Sequence, residues 1–117
     1  MFHAYRMTNV HDAPRYWEDY EVGRRYPLGS TSFTAQEIVE FARLYDPQSF
    51  HIDAKAAEAS MFGGLVASGW HVTSKLMRLF VESYIDTRTA LGSPGLDEIR
   101  WLKPVRPGDT LTAWVEC

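Results

Sequence analysis

Residues 62–84, FGGLVASGWHVTSKLMRLFVESY, decide the fold that the sequence predicts. The first part of this stretch is rich in glycine and almost free of charge, and an apolar helical pattern then runs from Gly69 to about Tyr84. The apolar residues of this pattern cover more than half of the helix circumference: Val72, Leu76, Met77, Leu79, Phe80, Val81 and Tyr84. Because a helix this apolar is usually buried on several sides, the sequence predicts one long central helix that other elements surround.

A second helix is predicted on the N-terminal side of the glycine-rich segment. It begins with the S/T-x-x-E pattern of a capping box, in which Thr34 and Glu37 satisfy each other's backbone donors. One apolar stripe follows at positions i, i+3, i+4 and i+7, formed by Ile38, Phe41, Ala42 and Tyr45. Pro47 disfavours helical geometry at the residue before it, so the helix is expected to end at Asp46. Residues 25–33 are expected to form a first strand.

The remaining predicted elements are a short helix and two strands. Residues 53–60 are rich in alanine, and Asp53 is suited to cap the helix that they favour. After a glycine and proline break at residues 92–95, residues 98–101 and 110–115 alternate polar and apolar side chains, which predicts two strands paired as a hairpin. Helical and strand segments are segregated along the chain rather than alternating. The predicted fold class is therefore α+β, with an antiparallel sheet curled around the central helix.

Length and composition limit the class of protein. A chain of 117 residues with 45% hydrophobic content fits one folded domain, which we expect over residues 15–117 after an irregular lead over residues 1–14. The 12 basic and 15 acidic residues are scattered, which excludes the basic face of a nucleic-acid binder. A single cysteine, no apolar secretory segment and no apolar run of about 20 residues predict a cytoplasmic protein without a membrane partner. The four histidines lack metal-ligand spacing, so no metal is expected.

An acid and a base lie close together in the sequence, on either side of Pro47. Asp46 and His51 are five residues apart, and a carboxylate and an imidazole held together beyond a helix end can activate a water between them. Gly69 opens the central helix, where a glycine offers an uncovered backbone N–H to a developing oxyanion. Together these groups predict the addition of water to an activated carbonyl compound, or its removal. Taken singly, an aspartate at a helix end and a loop histidine are more often structural residues.

These residues belong to longer motifs. Residues 46–53 read DPQSFHID, residues 64–69 read GLVASG, and residues 101–109 read WLKPVRPGD. They resemble, in order, the D-x-N-P-L-H motif followed by D, the G-x-x-x-H-G motif and the F-x-x-P-V-x-x-G-D segment of the MaoC-like acyl dehydratases. That family includes the R-specific enoyl-CoA hydratases and has the hotdog fold. The similarity extends over about residues 16–115, nearly the whole chain.

The resemblance implies a hydro-lyase that acts on enoyl or 3-hydroxyacyl thioesters of CoA or of an acyl-carrier protein, with no further cofactor. It implies that Asp46 and His51 are the catalytic pair and that Gly69 supplies the oxyanion N–H. The residues expected to contact the substrate are Gly64, Ser68, Met77, Phe80, Lys103 and Arg106. The two apolar helix residues among them would set the acyl chain length, and the two cations would meet phosphates.

The chain departs from the family pattern at several positions. Gln48 and Ser49 replace the Asn and Pro of the first motif, and Ser68 replaces the His of the second. We expect the loop between acid and base to be looser for this reason, while the catalytic residues themselves are retained. The sequence ends at Cys117, within a predicted strand. The hotdog sheet is therefore expected to lack its C-terminal strands.

Two other functions remain open at this stage. The shortened sheet and the altered loop fit a non-catalytic hotdog subunit that binds acyl chains or completes a partner's dimer. Thioester hydrolysis is a third use of the hotdog fold, and the hydratase spacing of Asp46 and His51 disfavours it. For any of these functions we expect a homodimer or a hotdog heterodimer, because three predicted strands are too few to cover so apolar a helix. The acid and base would then lie near the helix of the adjoining subunit.

Overall fold

The structure, a computed structural model, describes residues 12–117. Most of the lead predicted over residues 1–14 lies outside the described residues, and residues 12–14 form no helix or strand. A single 3-10 turn at Trp17–Asp19 precedes the regular elements. In chain order these are β1 Arg25–Ser32, α1 Ala35–Tyr45, α2 Ser49–Ile52, α3 Ala54–Glu58, α4 Gly69–Ser83 and β2 Thr110–Glu116. No helix within residues 12–117 has the length and apolar character needed to cross a membrane.

Helix α1 begins and ends where the sequence predicts. The Glu37 amide donates to Thr34 Oγ1 at 3.1 Å, and the Thr34 amide donates to Glu37 Oε2 at 3.0 Å, which completes the capping box. The helix stops at Asp46, whose φ of −149° is not helical. Asp53 caps the following short helix as predicted, although that helix covers only Ala54–Glu58 rather than residues 53–60.

The sheet is antiparallel, but its pairing differs from the prediction. Strand β2 pairs with β1, from Arg25 opposite Glu116 to Ser32 opposite Thr110. The hairpin predicted between residues 98–101 and 110–115 is wrong, and residues 98–101 form no strand. The connecting residues are held by other partners instead. The Val105 carbonyl accepts from the Ala67 amide at 2.8 Å, and the Gly108 amide donates to the Phe33 carbonyl at 2.7 Å.

Two apolar clusters form the core. One joins α1 to the loops on either side of α4, and it consists of Phe33, Ile38, Ala67 and Val105. The other lies between the sheet and the end of α4, and it consists of Tyr26, Leu28 and Tyr84. The α+β class is confirmed. Within the described residues the two strands cover one side of α4, so most of its apolar side chains are half-buried and Met77 is 50% exposed.

A buried carboxylate ties the chain before the sheet to the end of α4. Asp86 accepts from the Arg88 guanidinium at 2.9 and 2.7 Å and from the Arg15 amide at 2.9 Å. The hydrogen bonds from the Arg88 side chain hold the pKa of Asp86 well below its usual range, despite the opposing effect of burial. The Thr89 hydroxyl donates to the Arg15 carbonyl, so side chains that follow α4 bind both backbone groups of Arg15.

His71 forms part of the contact between α1 and α4. Its ring stacks on Phe41 with centroids 4.8 Å apart and meets Phe33 edge-on at 5.2 Å. Its Nδ1 atom is buried and has no hydrogen-bond partner within residues 12–117. Burial lowers the pKa of His71, and the nearby Lys75 lowers it further, while Glu37 acts weakly in the opposite direction. His71 is therefore a packed polar residue between the two helices.

The depressed pKa of His71 makes folding stability depend on pH. The unfolded chain binds a proton at this histidine below about pH 6.5, whereas the folded chain resists doing so until the pH is lower. The free energy of unfolding should therefore have its highest contribution from His71 above about pH 6.5. It should decrease as the pH falls below that value. In urea denaturation at pH 7.5 and 5.5, His71→Phe should lose less stability than the unmodified protein between the two values. An equal loss in both proteins would contradict this assignment.

Candidate active site

The end of α1 and the start of α2 bring the acid and the base together. The Gln48 amide donates to the Asp46 carbonyl at 2.8 Å, and the His51 amide donates to the Gln48 carbonyl at 2.9 Å. These two bonds turn the chain sharply after Pro47. As a result His51 Nε2 lies 3.2 Å from Asp46 Oδ2. The pair predicted from sequence is therefore in contact.

A second hydrogen bond fixes the orientation of the imidazole. His51 Nδ1 lies 2.6 Å from the Val66 carbonyl oxygen, which can only accept. Nδ1 therefore carries the proton, and Nε2 presents its lone pair or a second proton towards Asp46. The His51 side chain is 8% exposed, whereas the Asp46 side chain is 19% exposed. The carboxylate is thus the member of the pair that solvent reaches more easily.

The surroundings of Asp46 favour its charged form. Burial alone raises the pKa of this carboxyl, but hydrogen bonds from Gln48 and Ser68 and the attraction of His51 together lower the pKa below its usual value. The Gln48 amide nitrogen donates to Asp46 Oδ1 at 2.7 Å. Gln48, which departs from the family motif, thus supports the acid directly. At neutral pH Asp46 is ionised and acts as an acceptor.

The N-terminus of α4 lies beside this pair. Ser68 is fully buried and caps the helix, since its hydroxyl oxygen accepts from the Trp70 amide at 3.2 Å. Gly69 is the first helical residue, and no acceptor within residues 12–117 takes its amide hydrogen. The first amides of a helix carry partial positive charge and can bind an anion. The structure therefore places the Asp46–His51 pair near a helix N-terminus whose first amide can bind an anion.

The contact between Gly69 and Trp101 was not predicted from the sequence. A Cβ atom added to Gly69 would lie 2.3 Å from Cδ2 of the Trp101 indole, so the glycine is required while the indole stays there. Trp101 Nε1–H donates to Thr73 Oγ1 at 3.1 Å, and Trp70 meets the indole edge-on. The sequence placed this tryptophan on a strand. The only feature of the sequence that could have indicated this contact is the glycine at the start of an otherwise apolar helix.

The six predicted substrate contacts are dispersed. Ser68 adjoins the acid, and Gly64 lies beside Arg106, whose guanidinium donates to the Phe62 carbonyl. Lys103 is exposed. At a rise of 1.5 Å per residue, the remaining two lie about 12 Å and about 16 Å along α4 from Gly69. Of these, Met77 is half exposed, whereas Phe80 is partly buried and stacks on the core residue Tyr84.

The structure thus gathers four of the nine predicted residues at one point: Asp46, His51, Ser68 and Gly69. Such a group can hold a water against a base and stabilise negative charge on a nearby oxygen. Within residues 12–117 no three His, Cys, Asp or Glu side chains are grouped as ligands for a metal ion.

Comparison with known proteins places these observations in a family. The family profile described as MaoC like domain matches residues 19–117. Protein MaoC from Klebsiella aerogenes is 30% identical over 109 residues, which are 92% of this chain and 32% of that protein. The chain therefore spans about a third of the length of this curated relative.

Solved structures give the same assignment. A MaoC-like dehydratase from Rhodospirillum rubrum is 40% identical with a TM-score of 0.77, over 86% of this chain and 68% of that one. An (R)-hydratase from A. caviae involved in PHA biosynthesis is 29% identical with a TM-score of 0.59, over 85% of this chain and 73% of that one. The profile match over most of the sequence and the shared fold together show that this chain belongs to the MaoC-like domain family and has its hotdog fold.

Proposed function

We propose that this domain is a hydro-lyase that adds water to an enoyl thioester or removes it from a 3-hydroxyacyl thioester. The observation that carries the proposal is the Asp46–His51 pair near the Gly69 amide, which donates to no acceptor within residues 12–117. The names of two structural relatives, a dehydratase and an (R)-hydratase, support this reaction class.

The proposed mechanism needs one water and one mobile proton. Water held by Asp46 and His51 gives up a proton to the pair while its oxygen attacks the β-carbon of the enoyl group. Negative charge then develops on the thioester oxygen, where the Gly69 amide and the positive end of α4 stabilise it. The pair returns the proton to the α-carbon, which completes the addition. Dehydration follows the same steps in reverse.

We propose that protein groups and the substrate suffice for this chemistry, without a cofactor. The substrate class follows from the reaction, because a thioester carbonyl conjugated to a double bond is the acceptor that such a site activates. CoA and an acyl-carrier protein both supply a thioester of this kind.

The acid–base pair can be tested with a neighbouring control. Asp46→Asn and His51→Ala should each lower kcat for hydration of crotonyl-CoA by about 10²–10⁴-fold, because each removes one partner that handles the proton. Asp53→Asn changes a carboxylate two residues from His51 that only caps α3, and asparagine caps equally well, so its kcat should stay near the unmodified value. Undiminished turnover in either catalytic variant, with helical circular dichroism intact, would contradict the mechanism.

The oxyanion donor can be tested by removing the amide hydrogen alone. Gly69 is the first residue of α4, where proline is well tolerated, and the Ser68 angles of −56° and 138° suit a residue before proline. Because any side chain at position 69 meets the Trp101 indole, both substitutions belong in a Trp101→Ala background.

In that background Gly69→Ala keeps the N–H and Gly69→Pro removes it. The proline double variant should have a kcat about 10²–10³-fold below that of the alanine double variant, which is the usual effect of losing one oxyanion donor. Equal kcat values in the two folded proteins would show that the amide does not act on the oxyanion.

We further propose that the protein assembles as a homodimer or with another hotdog subunit. The apolar face of α4 that the two strands leave open includes Trp70 and Met77, each at least half exposed. An interface that covers it should bury more than about 1,200 Å² in total. Light scattering at micromolar concentration should give twice the monomer mass, or a complex only after a hotdog partner is added. An active monomer would refute this proposal.

The second candidate function is a hotdog subunit that binds acyl chains without catalysis. Its support is the sheet of only two strands within residues 12–117, which leaves much of α4 open for another subunit. Binding of butyryl-CoA without hydration of crotonyl-CoA, alone or in the assembled complex, would favour this candidate over the enzyme.

A further inference from the structure

Trp101 and helix α1 contact opposite faces of the first turn of α4. Successive helix residues are about 100° apart, so Gly69 and Thr73 point in nearly the same direction and His71 points about 180° away from them. The Trp101 indole contacts Gly69 and Thr73. Helix α1, which ends at the acid, contacts the opposite face through the stacked ring of His71.

This placement defines two directions for a bound thioester. With its carbonyl oxygen on the Gly69 amide, the enoyl group must extend towards Asp46 and His51, because water adds at the β-carbon. The sulfur is bonded to the other side of the same carbonyl carbon. It must therefore leave the site in the opposite direction, past the indole.

We propose that Trp101 is a specificity-determining residue that contacts the thiol arm of the substrate, an extended chain of methylene and amide groups such as the pantetheine arm of CoA. The inference rests on the proposed function for the orientation of the thioester. The indole is suited to this contact because it is 49% exposed and yet fixed in place. Its N–H is bound to Thr73, and it packs against Trp70 in a T-shaped contact.

The fixed position favours affinity as well as selectivity. A side chain already held in its binding conformation loses little conformational entropy when the ligand arrives. Covering the equivalent of about one and a half methylene groups of the arm should change affinity by roughly fivefold to tenfold. A thioester without such an arm gains no affinity from contact with Trp101.

The test measures binding and turnover separately in the purified protein. Butyryl-CoA has no double bond to hydrate, so isothermal titration gives its Kd without turnover. Trp101→Ala should raise this Kd about fivefold to tenfold, and Trp101→Phe should restore most of the affinity. In turnover, Trp101→Ala should raise KM for crotonyl-CoA by a similar factor with little change in kcat. The same variant should leave kcat/KM for S-ethyl thiocrotonate, which has no amide arm, almost unchanged.

Trp114→Ala provides the matched control. Trp114 is 54% exposed, similar to Trp101, but it lies on β2 under the Arg25 guanidinium, away from the start of α4. Its variant should bind butyryl-CoA like the unmodified protein. Equal Kd values for the Trp101 and Trp114 variants would overturn the proposal. Absence of butyryl-CoA binding in the unmodified protein would also overturn it.

Two further results separate this inference from the proposed function. A fall in kcat for both crotonyl thioesters in Trp101→Ala, with an unchanged Kd for butyryl-CoA, would mean that the indole only shapes the Gly69 turn, and the inference would fail while the enzyme stands. Selective loss of butyryl-CoA binding in a protein that never hydrates crotonyl-CoA would uphold the arm contact and reject the hydro-lyase.

Discussion

The hydrogen bond between His51 Nδ1 and the Val66 carbonyl is the interaction on which the rest of the site depends. It joins the short helix α2 to the segment that leads into α4, two parts of the chain separated by 15 residues. It also decides which imidazole nitrogen faces Asp46. The Phe50 carbonyl accepts from the Val66 amide at 3.2 Å. Both backbone groups of Val66 are therefore bonded to α2. The orientation of the His51 imidazole and the position of the N-terminus of α4 are thereby set together.

Much of the fold and the centre of the site could be predicted because they depend on local sequence. The capping box of Thr34 and Glu37, the helix end before Pro47 and the Asp53 cap each involve residues two to four positions apart. Local bonds through Gln48 likewise place the acid against the base. Such contacts are encoded in short patterns that a single sequence displays.

Features that depend on distant parts of the chain could not be predicted in this way. Alternation at residues 98–101 indicated a strand, but strand pairing is decided by partners far away in sequence, and β2 pairs with β1 across more than 75 residues. For the same reason the contact between Trp101 and Gly69 could not be predicted, because the two residues are 32 positions apart. Ser68 was expected to bind substrate, and its burial, its helix cap and its place beside Asp46 became visible only in three dimensions.

The close contact between Gly69 and Trp101 also constrains how this sequence can change over generations. While the indole keeps its present position, any larger residue at position 69 overlaps it. A smaller residue at position 101 removes the overlap. A substitution at position 101 therefore has to precede one at position 69. The effects of changes at the two positions are then strongly non-additive, as is usual for side chains in contact. Among descendants of this sequence, a glycine at position 69 should therefore be invariant wherever tryptophan occupies position 101 and free to vary only where it does not.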